Sequence, residues 1–112
     1  MAQAREMISK SSSNEDAVGR MIEGRDNGLV IAALTLLTGY SHDIVKKTFT
    51  QRAPKPVVAL CWKAGLSAAM AGRIQHRVAK IAPGLVVHAT REGEYAYTQD
   101  EMDWQLDFFD AV

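Results

Sequence analysis

Apolar residues recur along this chain at three- and four-residue spacing, the mark of helices that bury one stripe. Val18, Met21 and Ile22 form such a stripe over about Glu15–Glu23, behind a polar "SKSSSNED" in which Ser13 and Asp16 make a helix start. Leu29, Val30, Ala33, Leu34 and Leu37 define a second helix, with Gly39 its C-terminal stop. Ser41 caps a third, with Ile44, Val45, Thr48 and Phe49 on one face and Lys46 and Lys47 on the other. Pro54 and Pro56 fit the first turn of a fourth, which carries Val57, Val58, Leu60, Cys61 and Trp62 and stops at Gly65. Ser67 caps a fifth that holds Met70, Ile74, Val78 and Ile81 before "APG" ends it. Residues 1–13 are either flexible or a separate N-terminal helix.

The period then changes. "LVVHAT" and "EYAYT" alternate β-branched or aromatic residues with polar ones around "REGE", which predicts a short hairpin, with a loop insert as the alternative, within 84–98. Thr98 and Glu101 form a capping box for a last helix. There Met102, Leu106 and Phe109 share one stripe, with Trp104 and Phe108 beside it. An apolar face that wide must pack on something. The expected fold is mainly all-α: one domain over 1–112, about six helices, and a late β-hairpin.

Shifting the chain by 26 positions lays "VIAALTLLTGYSHDIV" over "PVVALCWKAGLSAAMA". Ala33 and Leu34 fall on Ala59 and Leu60, Gly39 on Gly65, Tyr40 on Leu66, Ser41 on Ser67 and Ile44 on Met70. The unit is a helix, a Gly stop, an apolar plug, a Ser cap and a second helix. Two copies of a helix pair at a fixed period predict a small stacked array.

Charge adds an asymmetry that the zero net charge conceals. Residues 41–91 hold nine Lys or Arg against Asp43 alone, whereas residues 92–112 hold seven acids and no base. Either the segments neutralise each other within the fold, or the basic one is open to an anionic partner. The lone Cys61 excludes an internal disulfide and suits a reducing cytoplasm. The run "LVIAALTLL" falls far short of the roughly 20 residues that span a bilayer. The expectation is a soluble cytoplasmic protein without a membrane partner.

"KAGLSAAMAGRIQHR" resembles the turn and second helix of a DNA-binding helix-turn-helix. A recognition helix reads bases from its first half, but here that half is Ala68, Ala69, Met70, Ala71 and Gly72, which offer no side-chain donor or acceptor to a base edge. The cations Arg73, His76, Arg77 and Lys80 come later, and with Lys46 and Lys47 they are the candidate anion- or partner-binding residues. Catalytic inventory is thin. His42, His76 and His88 lie on different elements without metal-ligand spacing. Cys61 sits in an apolar run, as a structural thiol does. No catalytic, cofactor-binding or metal-binding residue is predicted, and no cofactor. Trp104 and Phe108 are the candidate interface residues.

Three segments, "RDNGLVIAALTLLTGYSHDIVKKTF", "PVVALCWKAGLS" and "EMDWQLDFF", resemble the C-terminal part of bacterial domain-of-unknown-function family 2336. The likeness covers roughly Arg25 to Ile81 and Thr98 to Phe109. It implies a HEAT-like helical-repeat fold and attaches no biochemical activity. The functional expectation is a non-catalytic domain for protein–protein interaction, with another protein or with itself as a homodimer. The alternative is a helix-turn-helix-like binder of nucleic acid or another anion through the basic 41–91 segment.

Overall fold

The computed structural model describes the backbone of residues 2–111 and the side chains of residues 2–108. Seven helices follow in order: α1 (Ala2–Lys10), α2 (Asn14–Glu23), α3 (Asn27–Thr38), α4 (His42–Thr50), α5 (Pro54–Lys63), α6 (Ala68–Arg77) and α7 (Gln99–Ala111). The first of them shows that most of residues 1–13 is a separate helix. A single 3-10 turn, Pro83–Leu85, interrupts the long segment between α6 and α7.

Two helices are apolar nearly all round and therefore take the centre. In α3, Val30, Ala32, Ala33, Leu34 and Thr35 are buried; in α5, every residue from Pro56 to Cys61 is. α3 packs on α1, α2, α4 and α5, and α5 packs on α3, α4, α6 and α7. The amphipathic helices wrap this pair, and a direct contact between α2 and α6 closes one side. The radius of gyration is 12.8 Å, close to the roughly 13 Å expected for one compact domain of this length.

Capping chemistry sets most helix starts. Ser13, Asp26, Ser41 and Ser67 each accept a hydrogen bond from the backbone N–H three residues on, at 3.0 to 3.2 Å. Thr98 and Glu101 close a reciprocal box before α7. The Thr98 backbone N–H and then the Lys55 ammonium hold the Glu101 carboxyl below its usual range. Gly39 and Gly65, both at φ +80°, end α3 and α5 in the left-handed conformation that L side chains resist. After Gly65, Leu66 N–H donates back to the Cys61 carbonyl at 3.1 Å.

Three helices end on a left-handed residue that is not glycine: Arg25 after α2, Arg52 after α4 and Lys80 after α6, at φ +58°, +53° and +59°. The last corrects the expected fifth helix, which stops at Arg77 and does not continue to Ile81. Ala79 N–H donates to the Ile74 carbonyl and Ile81 N–H to that of Gln75. This tightened exit turns Val78, Ala79 and Ile81 back into the core.

The hairpin expected over 84–98 is not formed, and the described residues contain no strand. Its turn exists: Thr90 N–H donates to the Glu94 carbonyl at 2.8 Å, and Gly93 is left-handed. The arms part because each has a better partner than the other. An isolated two-stranded hairpin is marginal in water. Here the Gln75 side chain pairs with both backbone groups of Val87, at 2.8 Å each. On the other arm, the Tyr95 hydroxyl donates to the Leu66 carbonyl at 2.6 Å.

Candidate functional site

Gln75 is fully buried, yet both of its amide N–H groups and its amide oxygen are hydrogen-bonded; the third bond runs to the Ala71 carbonyl. A polar side chain placed in a core without partners would cost about 1–3 kcal/mol, so the clamp fixes the 83–88 segment against α6. The residues that follow Gln75 and Val87, His76 and His88, line the same cleft. With Ala69, Gly72, Arg73, Arg77, Pro83 and Val86, they enclose about 430 Å³. No acid lines it.

A second hollow of about 300 Å³ shares Arg77 and adds Ile22, Arg25, Asn27 and Lys80. Two of the three left-handed non-glycine residues thus place cationic side chains beside one hollow. Among the described residues, the ion pairs are Lys10–Glu6, Arg20–Asp16 and Lys55–Glu101, so Arg25, Arg73, Arg77 and Lys80 have no carboxylate within salt-bridge distance. Arg73 also borders α2, next to Gly19, where Glu15, Asp16 and Glu23 line an adjoining hollow.

The structure therefore brings Arg73, His76, Arg77 and Lys80 together and adds two residues that sequence spacing did not select, Arg25 and His88. Lys46 and Lys47 stand apart on α4, exposed beside a shallow hollow with Asp43, Thr50 and Gln51. Among the described residues, no acid of the last segment pairs with the α6 cations, and Lys55–Glu101, 3.2 Å apart, is the one ion pair between the basic and acidic segments; Lys55 also lies over the Tyr97 ring at 5.0 Å.

On α7, Met102 and Leu106 are the buried stripe. Trp104 and Phe108 lie on the opposite side, 63% and 53% exposed, with ring centroids 6.0 Å apart and planes 22° apart. The Phe109 side chain assigned to the inner stripe lies outside the described residues. Asp100 shares the outward stripe, with Asp103 and Asp107 next to it at helical spacing.

The N-terminus of α6 is occupied from within. Glu15 of α2 accepts from the Ser67 backbone N–H at 2.7 Å and from its hydroxyl at 2.9 Å. Cys61 is fully buried, and burial pushes its thiol up to about 12, so it holds no thiolate at neutral pH. Burial chiefly, with the negative charges of Cys61 and Glu15, raises the Tyr95 phenol. Among the described residues no group of three or more His, Cys, Asp or Glu is placed to hold a metal, and no helix is long and apolar enough to cross a membrane. Compared with protein-family models, curated proteins and solved structures, the chain matches none.

Proposed function

We propose that this chain is a non-catalytic, cytoplasmic interaction domain whose partner is a second copy of itself. The resemblance to domain family 2336 and the HEAT-like reading of the paired helices belong to the same proposal. The repeated Gly–plug–Ser turns at 39–41 and 65–67 support it. What carries the interaction reading is the stacked Trp104–Phe108 pair, turned away from the core on a helix rich in acids. Exposed aromatic side chains of this kind are the usual anchors of protein interfaces.

Charge selects the occupant. Asp100, Asp103 and Asp107 would repel a second α7, whereas α4 offers exposed Lys46 and Lys47 around a shallow hollow. α4 and α7 are packed neighbours in one chain. A two-fold axis can therefore set α7 of each copy on α4 of the other, acid against base in both halves. The two half-exposed rings supply roughly 250 Å² per copy, about a third of a standard interface side. A reversible dimer in the micromolar range follows.

Sedimentation equilibrium over about 1 µM to 1 mM tests this. Trp104→Ala should weaken the dimer by about tenfold or more. Asp103→Lys with Asp107→Lys should abolish it, and Lys46→Glu with Lys47→Glu in the same chain should restore it. A monomer throughout that range, or association indifferent to the charge exchange, overturns the reading.

A second reading, an anion binder using the basic 41–91 segment, is favoured by the unpaired Arg73, Arg77 and Lys80. A helix-turn-helix mode draws no support from α6. Its leading residues Ala68, Met70 and Ala71 are buried, and the Glu15 carboxylate lies where a DNA phosphate would meet the helix start.

A further inference from the structure

We propose that the cleft between α6 and the 83–88 segment is a binding site for a small phosphorylated ligand with an apolar body. The inference rests on the anion-binding reading and is independent of the α7 surface. Three observations converge on it. The cleft sets Arg73, His76 and Arg77 of α6 against His88 of the facing segment, with no acid among the described residues of its lining. Arg77 is shared with a second hollow that adds Arg25 and Lys80, so the cationic character extends beyond the cleft. The histidine-bearing walls are held in register by a fully buried glutamine that makes three hydrogen bonds.

Chemistry and size define the ligand. Guanidinium groups bind phosphate oxygens through charge-assisted, often paired, hydrogen bonds, and histidine side chains add ring N–H donors. Ala69, Gly72, Pro83 and Val86 give the remaining wall an apolar character. A volume of about 430 Å³ falls inside the roughly 300–1,000 Å³ of small-molecule sites. The overall charge is zero, and the last segment holds seven acids. A long polyanion would find no further net positive charge on the chain as a whole, whereas a small one needs only the cleft.

The test is an NMR titration of the isotope-labelled full chain with phenyl phosphate, with inorganic pyrophosphate and a short DNA duplex as parallel probes. Phenyl phosphate should shift the backbone signals of Gly72, Arg73 and Val86 and the ring signals of His76 and His88. Arg77→Gln should weaken that binding about tenfold, as loss of one charge-assisted contact does, while Lys46→Gln with Lys47→Gln leaves it unchanged. Arg73→Gln repeats the first arm at a second position, and each variant's amide spectrum reports whether it is folded. Absence of shifts with phenyl phosphate at about 10 mM, where millimolar binding would be evident, overturns the proposal. If DNA or pyrophosphate still binds through Arg73 and Arg77, the small-ligand site fails and the anion-binding reading stands. If no probe binds, both fail.

Discussion

The turn at Gly39–Ser41 and the turn at Gly65–Ser67 are built from the same parts, and the molecule uses them differently. Both glycines sit at φ +80°, and both serines are extended and cap the helix that follows. In the first copy Tyr40 is half-buried and Ser41 exposed. In the second Leu66 is buried, Ser67 donates two bonds to Glu15, and the Leu66 carbonyl accepts from Tyr95. Local sequence dictates the corner. Chain segments roughly 30 and 50 residues away decide whether that corner is a surface bend or a hub.

Removing the plugs should give the widest separation between the copies. Leu66→Ala should cost about 3 kcal/mol, since it removes a buried side chain and leaves a cavity. Tyr40→Ala should cost clearly less, and urea unfolding of both variants checks the order. Equal losses would mean that the second corner is no more central than the first.

The caps come next. Ser41→Ala should cost about 1 kcal/mol, the ordinary value of a lost N-cap. Ser67→Ala should cost about 2 kcal/mol, because the half-buried Glu15 also loses a hydroxyl donor. In a Glu15→Gln background the difference between the serines should shrink, which thermal unfolding of the four variants would reveal.

At neutral pH no difference separates the residues under the turns, Thr35 and its counterpart Cys61; it emerges only in alkali. Both are buried, but only the thiol ionises in the accessible range. Burial raises it from 9.0 to about 12, so the folded chain keeps a proton that the unfolded chain gives up. Stability from this source is complete below about pH 8.5 and is lost as pH rises towards 12. By pH 10 the loss is about 1.4 kcal/mol. Cys61→Ala should flatten the decline between about pH 8.5 and 10, measured as denaturant midpoint against pH. An unchanged slope would assign the decline to Tyr95, whose phenol is also raised.

These contrasts also mark what the sequence could reveal. Ser13, Ser41, Ser67 and the Thr98–Glu101 box were legible because a cap is a contact between residues three apart. The outward position of Trp104 and Phe108 relative to Met102 and Leu106 was partly legible, as helical spacing alone separates the two stripes. The end of α6 was not, because Lys80 is an unfavoured left-handed residue and nothing in its type announces the turn. Alternation in 84–98 was real, but a half-buried segment clamped by a side chain alternates just as a strand does. Arg25 and His88 reach the Arg73 cluster only through tertiary contacts, so spacing along the chain carried no sign of them.

The glutamine that replaces a strand partner for Val87 has a mechanical consequence. The segment from Pro83 to Tyr97 is fastened by Gln75 at one point and Tyr95 at another, with Val86, Val87, Tyr95 and Tyr97 packed on the core between. Its hold is a local quantity, set by a few bonds and not by the cooperative helix packing. The domain thus has a seam, where a segment outside the α-helices is joined to them by side-chain bonds. One wall of the cationic cleft belongs to this segment, so the shape of the cleft depends on the Gln75 clamp as much as on α6 itself.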